Sequence, residues 1–219
     1  MSILIFCPRV NGQTTLAFVS LPEKTAQETQ FAFYATGAVD RNITKDDLPD
    51  QFGEEIVALH FGSISLILEP GATALEALMK RESRHRVLTL DPNVRPAVIS
   101  STEKYRQKFS EWVSLIDILR LSQVDMEYLY QDKNIEELLP EWFNAGVSLI
   151  ILTKGANGSC GYLSGGGEVF VPSQKIAVKD TVGAGDTFFS AAIAYLFDHK
   201  KLFHRSLVSQ MNADELKTI

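Results

Sequence analysis

The sequence predicts an α/β domain built on a parallel sheet, preceded by a small antiparallel β lid. Three observations lead there. After Leu48, β-branched apolar runs alternate with stretches of helical periodicity. Before Asp40, the runs are short, aromatic and separated by turn residues. Finally, the 219 residues are 45% hydrophobic and 22% charged, enough apolar side chain for the core of one domain or two small ones. The expected division is a β-rich lid over residues 1–40 and an α/β core over 41–219.

In the lid, Ile3 to Pro8 is an apolar, β-branched run, followed by Asn11-Gly12, a dipeptide suited to a type I′ hairpin turn. Thr14 to Ser20 and Gln30 to Ala35 complete a small antiparallel meander. In the core, Glu55 to Phe61 reads as a buried strand, and Gly71 to Glu82 as a helix with Leu75, Leu78 and Met79 on one face. Arg86 to Leu90 is a strand that ends at Asp91-Pro92. Thr102 N-caps a helix to Ser114. Asp117 to Leu121 is a short strand, Ser122 caps a helix over Gln123 to Tyr130, and Asn134 to Asn144 is another helix. Ser148 to Thr153 is a fully buried strand. Ser159 to Leu163 and Glu168 to Val171 flank a Gly165-Gly166-Gly167 hairpin, and Gly185 to Phe197 is a strongly apolar helix. Strands that alternate with helices form a parallel sheet covered on both faces. Ligands of such sheets bind at the carboxyl ends of the strands, so the strand-to-helix junctions are where chemistry is expected.

A net charge of -6 argues against a nucleic-acid or membrane-surface role, since both favour basic patches. The two cysteines, Cys7 and Cys160, lie outside any CxxC or zinc spacing and read as free buried thiols in a reducing cytoplasm. MSILIFCPRVNG lacks a basic n-region and a small-residue cleavage site, so it is a poor secretory leader. The apolar runs are too short to span a bilayer.

The strongest junction is Asp180-Thr-Val-Gly-Ala-Gly-Asp186, running straight into a helix. Its glycines allow a tight turn whose amides point one way, and a helix N-terminus favours anions. Asp186 stands in the first turn, where a base could receive a hydroxyl proton. A bare GxGD reads equally as a turn and a cap. Here Ser190, Ala191, Ala192 and Ala194 make the helix small-sided and able to approach a ligand closely. No Lys-Ser/Thr follows the glycines, and no third glycine follows Gly185, so neither a P-loop nor a dinucleotide fingerprint is present. That disfavours an NAD-binding domain.

DTVGAGDTFFSAAIAYL resembles the C-terminal signature of the ribokinase/PfkB carbohydrate kinases, and the nearest likeness within the family is to fructokinases. The resemblance implies a ribokinase-like fold, with Asp186 as the general base and Gly183, Ala184 and Gly185 as the anion hole. Thr181 would sit near the phosphates, with Asp180 and the Val182 carbonyl at a monovalent-cation (K⁺) site. Thr153-Lys-Gly-Ala-Asn-Gly158 resembles the family's nucleotide loop, which puts Thr153, Gly155 and Gly158 against ATP; alone it reads as a loop leading to a hairpin. Ser122-Gln-Val-Asp125 is a capping box in form. The resemblance adds nucleotide contact for Ser122 and water-mediated Mg²⁺ for Asp125, a shortened version of the usual Glu. DPNVRP is similar to a fructokinase and ketodeoxygluconate-kinase segment in which Asn93 and Arg95 face the sugar or phosphate; otherwise Arg95 is a surface residue after a tight turn. Phe33 and Tyr34 either cover the sugar or pack within the lid.

The implied activity is ATP- and Mg²⁺-dependent phosphorylation of a sugar hydroxyl, with fructose favoured. 2-Keto-3-deoxygluconate and ribose are the alternative acceptors, and a non-catalytic remnant that binds nucleotide or self-associates is the alternative role. The expected partners are the sugar and ATP, with a second copy of the chain as the macromolecular candidate, and no nucleic acid or membrane. Family members begin with a βαβ unit carrying sugar-binding residues and end with a further helix. Neither is recognisable here, so an incomplete kinase core with weakened sugar binding is expected.

Overall fold

The computed structural model describes residues 10–20 and 30–219. The expected strand Ile3 to Pro8 and Cys7 lie outside the described residues. The lid is a two-stranded antiparallel sheet of β1 (Leu16–Ser20) and β2 (Gln30–Tyr34), with Leu16 opposite Tyr34. Asn11-Gly12 does not form the expected hairpin turn. Gly12 is outside the left-handed region, and Gln13 instead makes a parallel bridge to Ala38. That bridge ties the entry of β1 to the segment after β2.

The main sheet has six strands in sequential order: β3 (Ala58–Gly62), β4 (Val87–Asp91), β5 (Ile118–Ser122), β6 (Leu149–Thr153), β7 (Ser159–Leu163) and β8 (Glu168–Val171). β3 to β6 are parallel, whereas β7 and β8 run antiparallel to their neighbours. The Gly165–Gly167 hairpin supplies the left-handed residues that its turn requires, Gly166 at φ 89° and Gly167 at φ 142°. The helices are α1 (Gly71–Glu82), α2 (Thr102–Val113), α3 (Gln123–Leu129), α4 (Ile135–Ala145), α5 (Ala184–Asp198), α6 (Arg205–Ser209) and α7 (Ala213–Thr218). Among the described residues, the strands and helices expected from Thr14 to Phe197 have the expected types and differ mainly at their ends, whereas α6 is not among the expected elements. β3 begins at Ala58 rather than Glu55, and α2 is capped by Ser101, whose hydroxyl accepts from the Lys104 amide, with Thr102 as its first helical residue.

The period-two alternation of the strands sorts side chains onto two faces. Leu88, Leu90, Leu119, Leu121, Ile150 and Leu152 point to the layer made by α1 to α4, where Phe109, Trp112, Leu138 and Trp142 complete a dense apolar core. The residues between them, Val87, Ile118, Leu149 and Ile151, face α5 to α7 and pack on Phe189, Ala192, Leu196, Val208 and Leu216. Asp117, fully buried before β5, anchors the amino end of the sheet. Its carboxylate accepts the Leu88 amide at 2.9 Å and Arg205 Nε at 2.7 Å, which joins β4, β5 and α6. Burial pushes this carboxyl up, and its two donors oppose that shift.

Candidate active site

At the carboxyl ends of the central strands, the face toward α5 changes from apolar to polar. Asp91 ends β4, Arg120 lies in β5 and Thr153 ends β6. Arg120 is 6% exposed, so its charge is effectively buried. Its Nη1 donates to Asp91 Oδ2 at 2.7 Å and its Nη2 donates to Thr153 Oγ1 at 2.7 Å. One side chain thus fastens three adjacent strands. Burial raises the Asp91 carboxyl to about 6, opposed by Arg120 and reinforced by the charge of Asp125.

The start of α5 rests on this polar patch. Gly183 takes φ 77°, a left-handed N-cap. The Asp180 carboxylate accepts the Val182 amide at 2.8 Å, which shapes the turn before it. Among the three residues assigned to the anion hole, the Ala184 amide donates to the Thr181 carbonyl at 3.2 Å. The amides of Gly183 and Gly185, and that of Asp186, meet no protein acceptor among the described residues. The Asp186 side chain is exposed in the same first turn. Gly185 cannot be replaced without displacement, because an added Cβ would stand 2.9 Å from Arg120 Nη2 and 3.0 Å from Nη1.

A cavity of about 310 Å³ opens between this turn and the β6–β7 loop, lined by Arg120, Thr153, Gly155, Gly158, Ala184 and Gly185, with Val171 to Ser173 and Phe188 closing its sides. Gly155 (φ 55°) and Gly158 (φ 94°) both use backbone that disfavours other residues. Ala184 and Gly185 of the α5 turn and Thr153, Gly155 and Gly158 of the β6–β7 loop, far apart in sequence, therefore line one cleft, whereas Asp180, Thr181, Gly183 and Asp186 are not among its lining residues. A mostly apolar cleft edged by free amides and a buried guanidinium suits a planar ligand that carries anionic groups.

Other candidates fall beside the cavity. Asp125 is buried and engaged on both oxygens: Oδ1 accepts the Val94 amide at 2.7 Å, and Oδ2 accepts the Ser122 amide at 2.9 Å and hydroxyl at 2.6 Å. The capping box is present, and Asp125 also braces the Asp91–Arg95 loop against the β5–α3 junction. Asn93 adopts φ 39°, and Arg95 donates to the carbonyls of Asn93 and Val94 while its guanidinium lies 4.7 Å from the Phe31 ring centre. Thr181 and Asp180 are exposed. No group of three or more His, Cys, Asp or Glu side chains converges on a common point among the described residues. Phe33 and Tyr34 line a separate cavity of about 540 Å³ on the lid. Another, of about 530 Å³, lies at the opposite end of the sheet beside Arg86 and Glu82, far from these junctions.

Arg120 is the residue that motif reading passed over, and Asp91 entered it only as the start of a loop. Both carried a signal, namely a charge inside an otherwise apolar strand (ILRLS, VLTLD) close to its carboxyl end.

The chain matches the model of the pfkB family carbohydrate kinases over residues 5–204. It is 39% identical over 203 residues to a fructokinase of Rhizobium leguminosarum bv. trifolii, covering 93% of this chain and 61% of that protein. It is 33% identical over 200 residues to fructokinase-1 of Zea mays, covering 87% and 61%. The solved structure of a Vibrio cholerae O395 fructokinase bound to fructose, ADP and calcium superposes with a TM-score of 0.74 at 23% identity, over 92% of this chain and 64% of that one. The chain thus spans less than two thirds of the length of these relatives.

Proposed function

Because the chain belongs to the pfkB family of carbohydrate kinases, we propose that it carries the nucleotide and phosphoryl-transfer part of an ATP-dependent sugar kinase whose acceptor is fructose. The observation that supports this most is the Gly183–Asp186 turn, with unpaired amides beside an exposed carboxylate, set against the cavity of the Thr153–Gly158 loop. The relatives' names point to fructose as the acceptor. In this reading residues 1–40 are the lid and 41–219 the core.

ATP lies along the cavity, with its base toward Phe188 and Val171 and its phosphates toward Gly155, Gly158 and the start of α5. Asp186 accepts the proton of the attacking sugar hydroxyl. The amides of Gly183 and Gly185 hold the equatorial oxygens of the phosphoryl group in flight, where the charge is spread. There is no covalent chemistry for the protein to perform, so positioning supplies the rate. Mg²⁺ enters as part of the MgATP substrate and neutralises phosphate charge; it keeps much of its water and needs no all-protein cage. Asp125, with both oxygens occupied by protein donors, holds the β5–α3 junction and the Asp91–Arg95 loop in place and would reach such an ion only through water. Asn93 and Arg95 face the acceptor side. Such a reaction belongs in the cytoplasm, and among the described residues no helix is long and apolar enough to cross a membrane.

The test is Asp186→Asn. Fructose-dependent ADP release should fall by roughly 10³-fold or more while ADP binding changes by less than about threefold. Fructose phosphorylation by the variant comparable with that of the wild-type chain would overturn the assignment of the base. A wild-type chain that binds no adenine nucleotide would overturn the whole reading.

A further inference from the structure

We infer that Arg120 is the phosphate-sensing charge of this site: its guanidinium, held from below by Asp91 and Thr153, supplies the fixed positive charge that an anionic ligand meets between the Thr153–Gly158 loop and the α5 turn. The inference rests on the nucleotide reading for the ligand's identity, but not for its charge. A guanidinium has five N–H groups. Two are used, one on Asp91 and one on Thr153, so three remain. Nε is buried without an acceptor among the described residues. A buried polar group left unpaired in a native fold calls for a partner, and here the side chain lines the cavity itself.

Position strengthens the case. The guanidinium faces the position where a Gly185 side chain would begin: a Cβ added there would stand 2.9 Å from Nη2 and 3.0 Å from Nη1, so only glycine leaves it room beside that turn. Asp91 holds the fork in a single orientation, and Thr153 fixes its second arm. A fork oriented in advance loses little freedom when it meets a phosphate, and its planar geometry matches two phosphate oxygens at once. A lysine would keep the charge without the fork.

The experiment measures binding of adenosine, ADP and inorganic pyrophosphate by calorimetry to the wild-type chain, Arg120→Met and Arg120→Lys, with thermal melting as the control for folding. The wild-type chain should bind ADP and pyrophosphate. Arg120→Met should weaken both by roughly tenfold or more and leave adenosine unchanged, and Arg120→Lys should recover part of the loss. Arg120→Met that binds pyrophosphate and ADP within about twofold of wild type, or that loses adenosine and ADP alike, overturns the inference. If Arg120→Met does not fold, the Arg120 Nε–H resonance of the wild-type protein decides: it should move on addition of pyrophosphate, and a stationary resonance overturns the inference. Pyrophosphate binding that depends on Arg120, without any added affinity from the adenosine moiety, would sink the nucleotide reading and leave this inference standing.

Discussion

Gly158→Ala is expected to be the most damaging one-carbon change in the cleft. At φ 94° and ψ -153°, Gly158 occupies backbone that is essentially restricted to glycine. Its added Cβ would stand 2.2 Å from the Val171 carbonyl oxygen, 2.9 Å from Pro172 Cα and 3.0 Å from the Ser173 amide nitrogen. These neighbours are backbone atoms, so no side-chain rotation relieves the contact, and the end of β8 must move. Strain in this region costs about 1–3 kcal/mol, and overpacking about 1–3 kcal/mol more. The lower entropy of the unfolded alanine chain returns about 0.4–1 kcal/mol. The net expectation is a loss of about 1–6 kcal/mol, a large share of an ordinary domain's stability. Because Val171 to Ser173 also wall the cavity, ADP affinity should fall with it. Urea denaturation with and without ADP measures both effects. A loss below about 0.5 kcal/mol with ADP affinity intact would refute the reasoning.

Gly185→Ala sets two effects against each other. Alanine gains up to about 1 kcal/mol of helix propensity, but it displaces a guanidinium pinned by two charge-assisted bonds, worth about 1.5–3 kcal/mol each. A net loss near 1 kcal/mol in urea denaturation is expected, and stabilisation would contradict it. For Asp91, the folded value near 6 lies above the unfolded one of 3.8, so its contribution to stability is complete below about pH 4 and is lost as pH rises through 6. The stability of wild type relative to Asp91→Asn should therefore fall by about 2–3 kcal/mol between pH 4 and 7, measured by denaturation at each pH; a flat difference would reject it. Phe109→Ala, in the fully buried layer under α2, should cost about 3–5 kcal/mol by the same measurement.

Much of this molecule could be read from its residues because the signals were local. The run Ser148 to Thr153 has no polar break and became a strand buried on both faces. Ser122 with Asp125 spelled a capping box that α3 uses, and the helix read from Asn134 proves to start on a second box, with Glu137. The Gly165–Gly167 turn needed only the left-handed freedom of glycine. What escaped notice depends on contacts made far along the chain. Asn11-Gly12 is a favourable hairpin dipeptide, yet Gln13 pairs with Ala38, a partner that no local rule foresees. Arg120, Asp91 and Thr153 sit on three separate strands and meet only because the parallel register aligns their carboxyl ends. Motif spacing along the chain holds no trace of that register. The alternation of faces was legible, and the charges of Asp91 and Arg120 on the α5 side of apolar strands were its visible irregularities.

Arg95 couples the small β1–β2 sheet to the loop that follows β4. Its guanidinium grips carbonyls of its own loop and lies over the Phe31 ring of the small sheet. Any tilt of that sheet must drag on the Asn93–Arg95 loop, and through the Val94 amide on Asp125 and the top of β5. Arg95 thus wires the small sheet to the loop beside the candidate cleft. Cutting that wire with Arg95→Gln would free the two to move independently, and their motions would lose correlation before either lost its shape.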